Sequence, residues 1–210
     1  MILSIGGNIG SGKSTIINKI AKDYTSVKCI PEPIETWGEW LGQFYDNPQK
    51  YALGFQLKIL NTFNYFDKSS TIFITERSPW ESKNVFSALL HKQGVLTSME
   101  LELYNDFYKE KAWEPHYYIY LYTDYEECLN RIKTRDRNEE STLNKKYVLE
   151  LHEQYNEVFA LTKTSNQIVV NDYIIGYTLE NGIRVYMIDS NQPPEEVYAN
   201  VRLVLNRIIL

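Results

Sequence analysis

The length, composition and charge of this chain exclude several classes of protein. It has 210 residues, 43% of them hydrophobic, and no Pro/Gly/Ser-rich linker divides it, so we expect one globular domain over 1–210. The formal net charge of -5 argues against a nonspecific nucleic-acid binder, which needs a basic face to neutralise phosphates. The sequence predicts neither a signal peptide nor a membrane span, and its two cysteines, Cys29 and Cys128, fit a cytoplasmic protein.

Short apolar runs alternate with helical patterns along the chain. Strands are predicted for ILSIG at 2–6, VKCI at 27–30, TIFIT at 71–75, YYIYLYT at 117–123 and RVYMID at 184–189. The spacing of Leu53, Leu57 and Leu60 predicts a helix within 48–67, and Pro193 and Pro194 suit the start of the last helix. This alternation indicates an α/β fold with a parallel five-stranded sheet flanked by helices.

The stretch GGNIGSGKST, residues 6–15, lies between the first predicted strand and a helical pattern. It fits GxxxxGK[ST], in which glycines let backbone N–H groups close around phosphate oxygens. Lys13 reaches the outer phosphates and Ser14 can bind Mg²⁺. The stretch therefore predicts a nucleoside triphosphate site; an ordinary glycine-rich turn is the alternative. The predicted phosphate-binding residues are Gly7, Asn8, Ile9, Gly10, Ser11, Gly12, Lys13, Ser14 and Thr15.

Acidic residues follow the second and third predicted strands. Glu32 lies in CIPEPIETW, where the carboxyl ends of parallel strands open onto a ligand crevice, and is a candidate general base. Glu76 and Arg77 end the run TIFITER, so Glu76 is a candidate Mg²⁺ ligand and Arg77 could pair with Glu32. Both could instead be helix-entry charges, since Ser78 and the proline after it resemble an N-cap and first turn.

A basic cluster stands out in this acidic chain. In RIKTRDRNEES, residues 131–141, Arg131, Lys133, Arg135 and Arg137 recur at every second position. Cations at a helix C-terminus can simply complement the helix dipole. Four of them beside a phosphate site favour an arginine-rich lid, about residues 132–142. Upstream, TDYE at 123–126 predicts a capping box.

The C-terminal part contains a hairpin signal. Asn181-Gly182 lies between alternating segments within residues 168–189 and predicts an extra β-hairpin. Two roles stay open for it: extending the edge of the sheet, or covering a partner surface.

Taken in order, these motifs resemble those of a known family. The loop GNIGSGKS, then PEPIETW, YDNPQKYALGFQ, ERSPWES and RDRNEES are similar to the deoxyribonucleoside kinases, the type that includes thymidine, deoxycytidine and insect multisubstrate enzymes. The resemblance covers residues 1 to about 160. It implies a P-loop kinase fold and transfer of the γ-phosphoryl group of ATP, with Mg²⁺, to the 5'-hydroxyl of a deoxynucleoside.

The resemblance also implies roles for individual residues. Glu32 matches the general base, Arg77 the arginine that orients the 5'-hydroxyl, and Glu76 the carboxylate that organises Mg²⁺. Tyr45 and Glu140 match the pair that binds the sugar 3'-hydroxyl, and Gln56 the glutamine that binds the base edge. The base would lie between Trp37, Phe55 and Phe86, with Arg131, Arg135 and Arg137 on the phosphates. Ile59, Phe63 and Ser82 occupy the positions beside the base, where no charged pair stands, which favours pyrimidines.

Two other functions stay open at this point. A nucleoside monophosphate kinase of the thymidylate type would need cations for the acceptor phosphate, where EPIETW offers a carboxylate. A nucleotide-binding regulator without transfer activity would not need the whole catalytic set. The expected partners are ATP and a small deoxynucleoside, with no nucleic acid and no membrane. The family is commonly dimeric, so we expect a homodimer through apolar faces around Leu89, Leu90 and the helix at 48–67.

Overall fold

In the part of the chain that the structure describes, seven strands form one mixed sheet. The computed structural model describes residues 1–63, 72–159 and 167–209. The strands are β1 (Ile2–Gly6), β2 (Lys28–Ile30), β3 (Phe73–Glu76), β4 (Tyr117–Tyr122), β5 (Ile168–Asn171), β6 (Ile174–Thr178) and β7 (Arg184–Asp189). Their order across the sheet is β2-β3-β1-β4-β7-β6-β5.

Helices connect most of these strands. They are α1 (Lys13–Asp23), α2 (Ile34–Asp46), α3 (Pro48–Thr62), α4 (Pro79–Glu81), α5 (Ala88–Lys92), α6 (Ser98–Lys111), α7 (Tyr125–Arg135), α8 (Lys145–Val158) and α9 (Pro194–Ile209). A π-helical segment, Ser82–Ser87, joins α4 to α5, and a short 3₁₀ turn, Asn138–Glu140, lies between α7 and α8. None of the described helices has both the length and the hydropathy needed to cross a bilayer.

The α/β prediction is confirmed, including the five parallel strands. β2, β3, β1, β4 and β7 pair in parallel, so their carboxyl ends share one edge of the sheet. One face of the sheet packs on α1 and α9, and the other on α8 and the π-helical segment. Because both faces are covered, Leu3, Ile5, Ile119 and Leu121 are fully buried and these strands have continuous apolar runs.

The predicted C-terminal hairpin is present and extends the sheet. β6 pairs antiparallel with β7 across a turn in which Gly182 has a φ of 88°, a left-handed conformation that suits glycine. β5 adds to the far side of β6. Of the two roles that the sequence left open, the structure has the hairpin at the sheet edge.

Other local predictions had mixed outcomes. The cap at Ser78 is confirmed, since its side chain accepts a hydrogen bond from Glu81 N at 3.2 Å. The capping box at 123–126 is wrong: α7 has Asp124 at its N-cap without a side-chain cap, because Asp124 Oδ1 instead accepts the Tyr122 hydroxyl. Leu89 and Leu90 are buried in the core and offer no exposed interface. The predicted helix within 48–67 ends at Thr62, and residues 64–67 lie outside the described ranges, as does residue 71 of the third predicted strand.

A core position of the hairpin should matter for stability where an exposed one does not. Ile174 is fully buried and pairs with Ile188, whereas Ile168 in the same hairpin is 64% exposed. We expect Ile174→Ala to lower the free energy of unfolding by about 2–5 kcal/mol, because it removes buried methyl groups and leaves a cavity. Ile168→Ala, the matched control, should lower it by less than about 1 kcal/mol. Urea denaturation of both variants measures this, and equal losses would contradict the packing described for β6.

Candidate active site

A cavity of about 500 Å³ opens at the carboxyl edge of the parallel strands. Residues after β1, β2 and β3 meet there with α2, α3, the π-helical segment and the predicted lid. The predicted residues that line it are Ile9, Gly10, Gly12, Lys13, Ser14, Thr15, Glu32, Trp37, Tyr45, Phe55, Gln56, Ile59, Phe63, Glu76, Arg77, Ser82, Phe86, Arg131, Arg135, Arg137 and Glu140. Gly7, Asn8 and Ser11 belong to the loop behind this lining, and Lys133 of the basic cluster is exposed outside it.

The loop between β1 and α1 depends on glycine backbone geometry. Gly10 has a φ of 85°, and a Cβ there would lie 2.5 Å from the Cys128 carbonyl oxygen. Gly12, at a φ of 92°, is the N-cap of α1 and has no side chain with which to cap the helix. The backbone N–H groups at this helix start are therefore not taken up by a side-chain cap, the arrangement that binds anions in proteins.

The side chains of Lys13 and Asn8 stabilise this loop through hydrogen bonds. Lys13 Nζ donates to the carbonyl oxygens of Gly7 at 3.1 Å and Asn8 at 2.8 Å. Burial, assisted by the positive charge of Arg77, lowers the pKa of Lys13 to about 8. Asn8 Nδ2 donates to the Val148 carbonyl of α8 at 3.0 Å, so Asn8 anchors the loop to its neighbour.

Two oxygen-bearing side chains meet where β3 ends beside α1. Ser14 Oγ donates to Glu76 Oε1 at 2.7 Å, and the backbone N–H of Glu32 donates to Glu76 Oε2 at 3.2 Å. Burial, and then the nearby carboxylate of Glu32, raises the pKa of Glu76. A hydroxyl and a carboxylate beside a phosphate loop form a donor set that fits Mg²⁺, which takes few protein ligands. In the described residues, His, Cys, Asp and Glu form no cluster of three that could hold a metal by itself.

Arg77 lies at the centre of the charged part of the cavity. Its Nε donates to Glu32 Oε1 at 2.7 Å, the ion pair that the sequence predicted. Its backbone φ of 64° is in the left-handed region, which is strained for a residue with a side chain. Its guanidinium lies 4.6 Å over the Phe86 ring. Burial opposes the charge of Arg77, but the carboxylates of Glu32 and Glu81 raise its pKa, so it stays a cation.

Aromatic side chains form one wall of the cavity. The Trp37 and Phe55 rings meet edge to face at 6.0 Å between centroids. Phe44 and Tyr147, which the sequence reasoning missed, extend this wall: Phe44 lies 5.3 Å from Phe55 and 5.9 Å from Tyr147. Both are apolar or aromatic residues at ordinary helical spacing, which the sequence alone does not distinguish from core.

Gln56 is a buried polar residue in the lining of the cavity. Its Oε1 accepts hydrogen bonds from the hydroxyls of Ser82 at 3.2 Å and Ser87 at 3.4 Å. With Oε1 engaged, the amide NH₂ is the group that Gln56 can offer to a ligand. The described side chains that line the cavity around Gln56 carry no charge; they are Phe55, Gln56, Ile59, Phe63, Ser82 and Phe86.

Three arginines of the predicted lid, Arg131, Arg135 and Arg137, line the cavity on the side of α7. Arg135 makes a two-pronged ion pair with Glu140, with Nε donating to Oε2 at 3.0 Å and Nη2 donating to Oε1. Arg137 Nη1 lies 3.9 Å from the same carboxylate. Arg131 donates to Glu127 Oε1 at 2.7 Å and to the Ser190 carbonyl at 2.8 Å. Glu140 and two of the lid arginines thus form one charged group at the cavity wall.

Glu81 and Tyr155 are two buried residues next to Arg77 that sequence reasoning missed. Glu81 Oε1 accepts from Arg77 Nη1 at 2.9 Å and from the Tyr155 hydroxyl. The only sequence signal was the spacing of Glu81 four residues after Arg77 in ERSPWE. Nothing in the sequence indicates Tyr155, because it is 74 residues further along the chain.

Comparison with known proteins agrees with this geometry. The profile described as deoxynucleoside kinase matches residues 3–190. A protein of Invertebrate iridescent virus 3 that is named as a kinase is 33% identical over 211 residues, which cover 99% of this chain and 97% of the relative. A Fowlpox virus protein named as a probable deoxycytidine kinase is 32% identical over 73% of this chain and 69% of its own length.

A solved structure has the same fold. The deoxyadenosine kinase of M. mycoides, determined with the products dCMP and a flexible dCDP bound, superposes with a TM-score of 0.79. The match covers 99% of this chain and 100% of the other at 23% identity, so it shows the fold alone. On the profile match and the viral relative aligned from end to end, the chain belongs to the deoxynucleoside kinase family.

Proposed function

We propose that this protein transfers the γ-phosphoryl group of ATP to the 5'-hydroxyl of a deoxynucleoside, with a preference for pyrimidine bases. One observation carries the proposal: the Glu32–Arg77 pair lies in the same cavity as the phosphate-binding loop. A carboxylate held by an arginine beside a triphosphate site is suited to a neutral hydroxyl as acceptor. An acceptor phosphate would instead be repelled by Glu32, which disfavours a monophosphate kinase.

The reaction needs one proton acceptor and several cations. Glu32 accepts the proton of the 5'-hydroxyl while the 5'-oxygen of the nucleoside bonds to the γ-phosphorus. The bond from that phosphorus to the β,γ-bridging oxygen breaks, and ADP is released. Arg77 orients the hydroxyl. Lys13 and the lid arginines Arg131, Arg135 and Arg137 neutralise charge on the phosphates, so positioning and electrostatics supply most of the acceleration.

Ser14 and Glu76 are the residues that would hold Mg²⁺. Their oxygens are 2.7 Å apart beside the start of α1, and the metal would neutralise charge on the triphosphate when bound. Ser14 lies at the N-terminal end of α1 and Glu76 at the C-terminal end of β3, and these positions would orient both side chains for this role. The backbone N–H of Glu32 fixes the second oxygen of Glu76.

The nucleoside would occupy the aromatic part of the cavity. Tyr45 and Glu140 would bind the sugar 3'-hydroxyl, while Trp37, Phe55 and Phe86 enclose the base. The Gln56 NH₂ could donate to N3 of cytosine or O4 of thymine, since its Oε1 is already engaged. The uncharged surroundings of Gln56 support pyrimidines over purines, and the name of the Fowlpox virus relative is consistent with this.

Steady-state kinetics with Mg·ATP test the proposal. We expect thymidine and deoxycytidine to be phosphorylated with higher kcat/KM than deoxyadenosine and deoxyguanosine. Glu32→Gln should lower kcat by about 10²- to 10⁴-fold, because it removes the proton acceptor while preserving shape. Glu35→Gln, three residues along and exposed, is the matched control and should leave kcat unchanged.

Four results would each contradict one or more of these assignments. Turnover of nucleoside monophosphates alone would make the protein a monophosphate kinase, and ATP binding without any nucleoside turnover would make it a regulator. Full activity in Glu32→Gln would remove Glu32 as the base. A purine preference would leave the chemistry intact and overturn only the base assignment.

We further propose a homodimer through α6. Met99, Leu103 and Phe107 recur every four residues on this helix and are 80%, 45% and 39% exposed. Large apolar side chains in such a stripe are typical of interaction surfaces.

A charge in this stripe should separate the subunits. Phe107→Glu should convert a dimer to a monomer in size-exclusion chromatography with light scattering, because a carboxylate would be buried in an apolar interface. Lys109→Glu is the control, because Lys109 is an exposed residue of α6 that is not part of the apolar stripe. This variant should stay dimeric. A wild-type protein that runs as a monomer at micromolar concentration would contradict the dimer.

A further inference from the structure

We infer that Glu81 and Tyr155 position Arg77 for the reaction, by fixing its guanidinium between the phosphate-binding loop and Glu32. The inference rests on the proposed function, since it concerns how Arg77 is presented to the acceptor hydroxyl. Neither Glu81 nor Tyr155 lines the cavity, so both would act through Arg77 and not by touching a substrate.

Glu81 is a buried carboxylate with a specific set of partners. Its side chain is 0% exposed. Burying a carboxylate is unfavourable unless cations and hydrogen-bond donors compensate. Oε1 has three donors: Arg77 Nη1 at 2.9 Å, the Tyr155 hydroxyl, and the backbone N–H of Gly7 at 3.4 Å. Glu81 therefore contacts both Arg77 and the first residue of the phosphate-binding loop.

Tyr155 completes the support from another element. It is fully buried on α8, and its hydroxyl accepts from Arg77 Nη1 at 2.8 Å while donating to Glu81. Its ring also meets Phe86, the aromatic that lies against the Arg77 guanidinium, at 6.3 Å between centroids. Arg77 is thus held by hydrogen bonds and by ring contacts together.

The contacts divide the guanidinium into a held side and a free side. Nη1 donates to Glu81, to Tyr155 and to the Gly7 carbonyl at 3.2 Å, and Nε donates to Glu32. In the described residues Nη2 has no protein acceptor. Nη2 is therefore the group left to meet the acceptor oxygen, and the Nη1 contacts decide where it points.

Two hydrogen bonds of the Arg77 main chain hold its strained backbone in place. A left-handed φ is unfavourable in a residue with a Cβ and persists only where the surroundings fix it. The backbone N–H of Arg77 donates to the Ile5 carbonyl at 2.9 Å, and its carbonyl accepts the Thr75 hydroxyl at 2.8 Å. With the main chain held at these two atoms, Glu81 and Tyr155 set the direction of the side chain.

Two tyrosines allow a matched test. Tyr155 and Tyr177 are both buried, and each makes hydrogen bonds through its hydroxyl, but Tyr177 donates to the Phe159 carbonyl at 3.3 Å, away from Arg77. We expect Tyr155→Phe to lower kcat for the nucleoside by about 10- to 100-fold, because a misplaced guanidinium no longer meets the reacting oxygen. Its KM for ATP should stay within about twofold of wild type, since the loop residues remain. Tyr177→Phe should leave both constants unchanged.

A double variant separates positioning from general stability. If Tyr155 acts through Arg77, adding Tyr155→Phe to Arg77→Lys should cause no further loss of kcat. Multiplicative losses would overturn the inference, as would a Tyr155→Phe enzyme with wild-type kcat. Glu81→Gln should behave like Tyr155→Phe, and thermal melting of each variant checks that it is folded; if Glu81→Gln does not fold, the tyrosine pair decides.

The same experiments distinguish this inference from the proposed function. A wild-type protein that phosphorylates no nucleoside overturns both. A wild-type protein that does so, with Tyr155→Phe and Tyr177→Phe equally active, overturns the role of Glu81 and Tyr155 alone.

Discussion

The buried ion pair between Glu32 and Arg77 is the interaction on which the rest of the site depends. It exists because β2 and β3 pair in parallel with Ile30 opposite Thr75. Glu32 and Arg77 each follow two positions later, so they emerge side by side. Loop conformations then decide how the two side chains meet. A shift of one residue in that register would displace one of them by about 3.3 Å along the strand direction relative to the other and separate the charges. The strand pairing therefore brings together the two residues that the proposed chemistry needs, before any ligand binds.

Parts of this arrangement are predictable from sequence for identifiable physical reasons. The loop at 6–15 carries glycines at the positions where backbone geometry requires them, and Gly10 and Gly12 do have left-handed φ values. Glu32 and Arg77 follow two runs that the sequence predicts as parallel strands, so a pairing between them could be anticipated as one possibility. The Asn181-Gly182 turn was recognisable because its conformation is local. Each of these predictions depended on a few consecutive residues.

What could not be predicted depends on contacts between distant segments. Tyr155 bonds to Glu81 across 74 residues, and in the sequence it is one of 17 tyrosines. Phe44 and Tyr147 look like ordinary core residues until α2 and α8 are brought together. The capping box at 123–126 failed because Asp124 is engaged twice. Its Oδ1 accepts the nearby Tyr122 hydroxyl, and its backbone N–H donates to Oδ1 of the distant Asn191. The four-residue motif alone shows neither of these contacts.

The hairpin has a consequence for how copies of this protein behave when concentrated. Without β5 and β6, β7 would be the outer strand at this end of the sheet, a six-residue parallel edge with regular hydrogen-bonding groups. With β5 and β6 present, the outer strand at this end is β5, four residues long, whose register against β6 shifts between Val169 and Asn171. Short, irregular outer strands are poor templates for a further strand, even when side chains such as Ile168 are exposed. β5 and β6 therefore protect this end of the sheet against edge-to-edge aggregation.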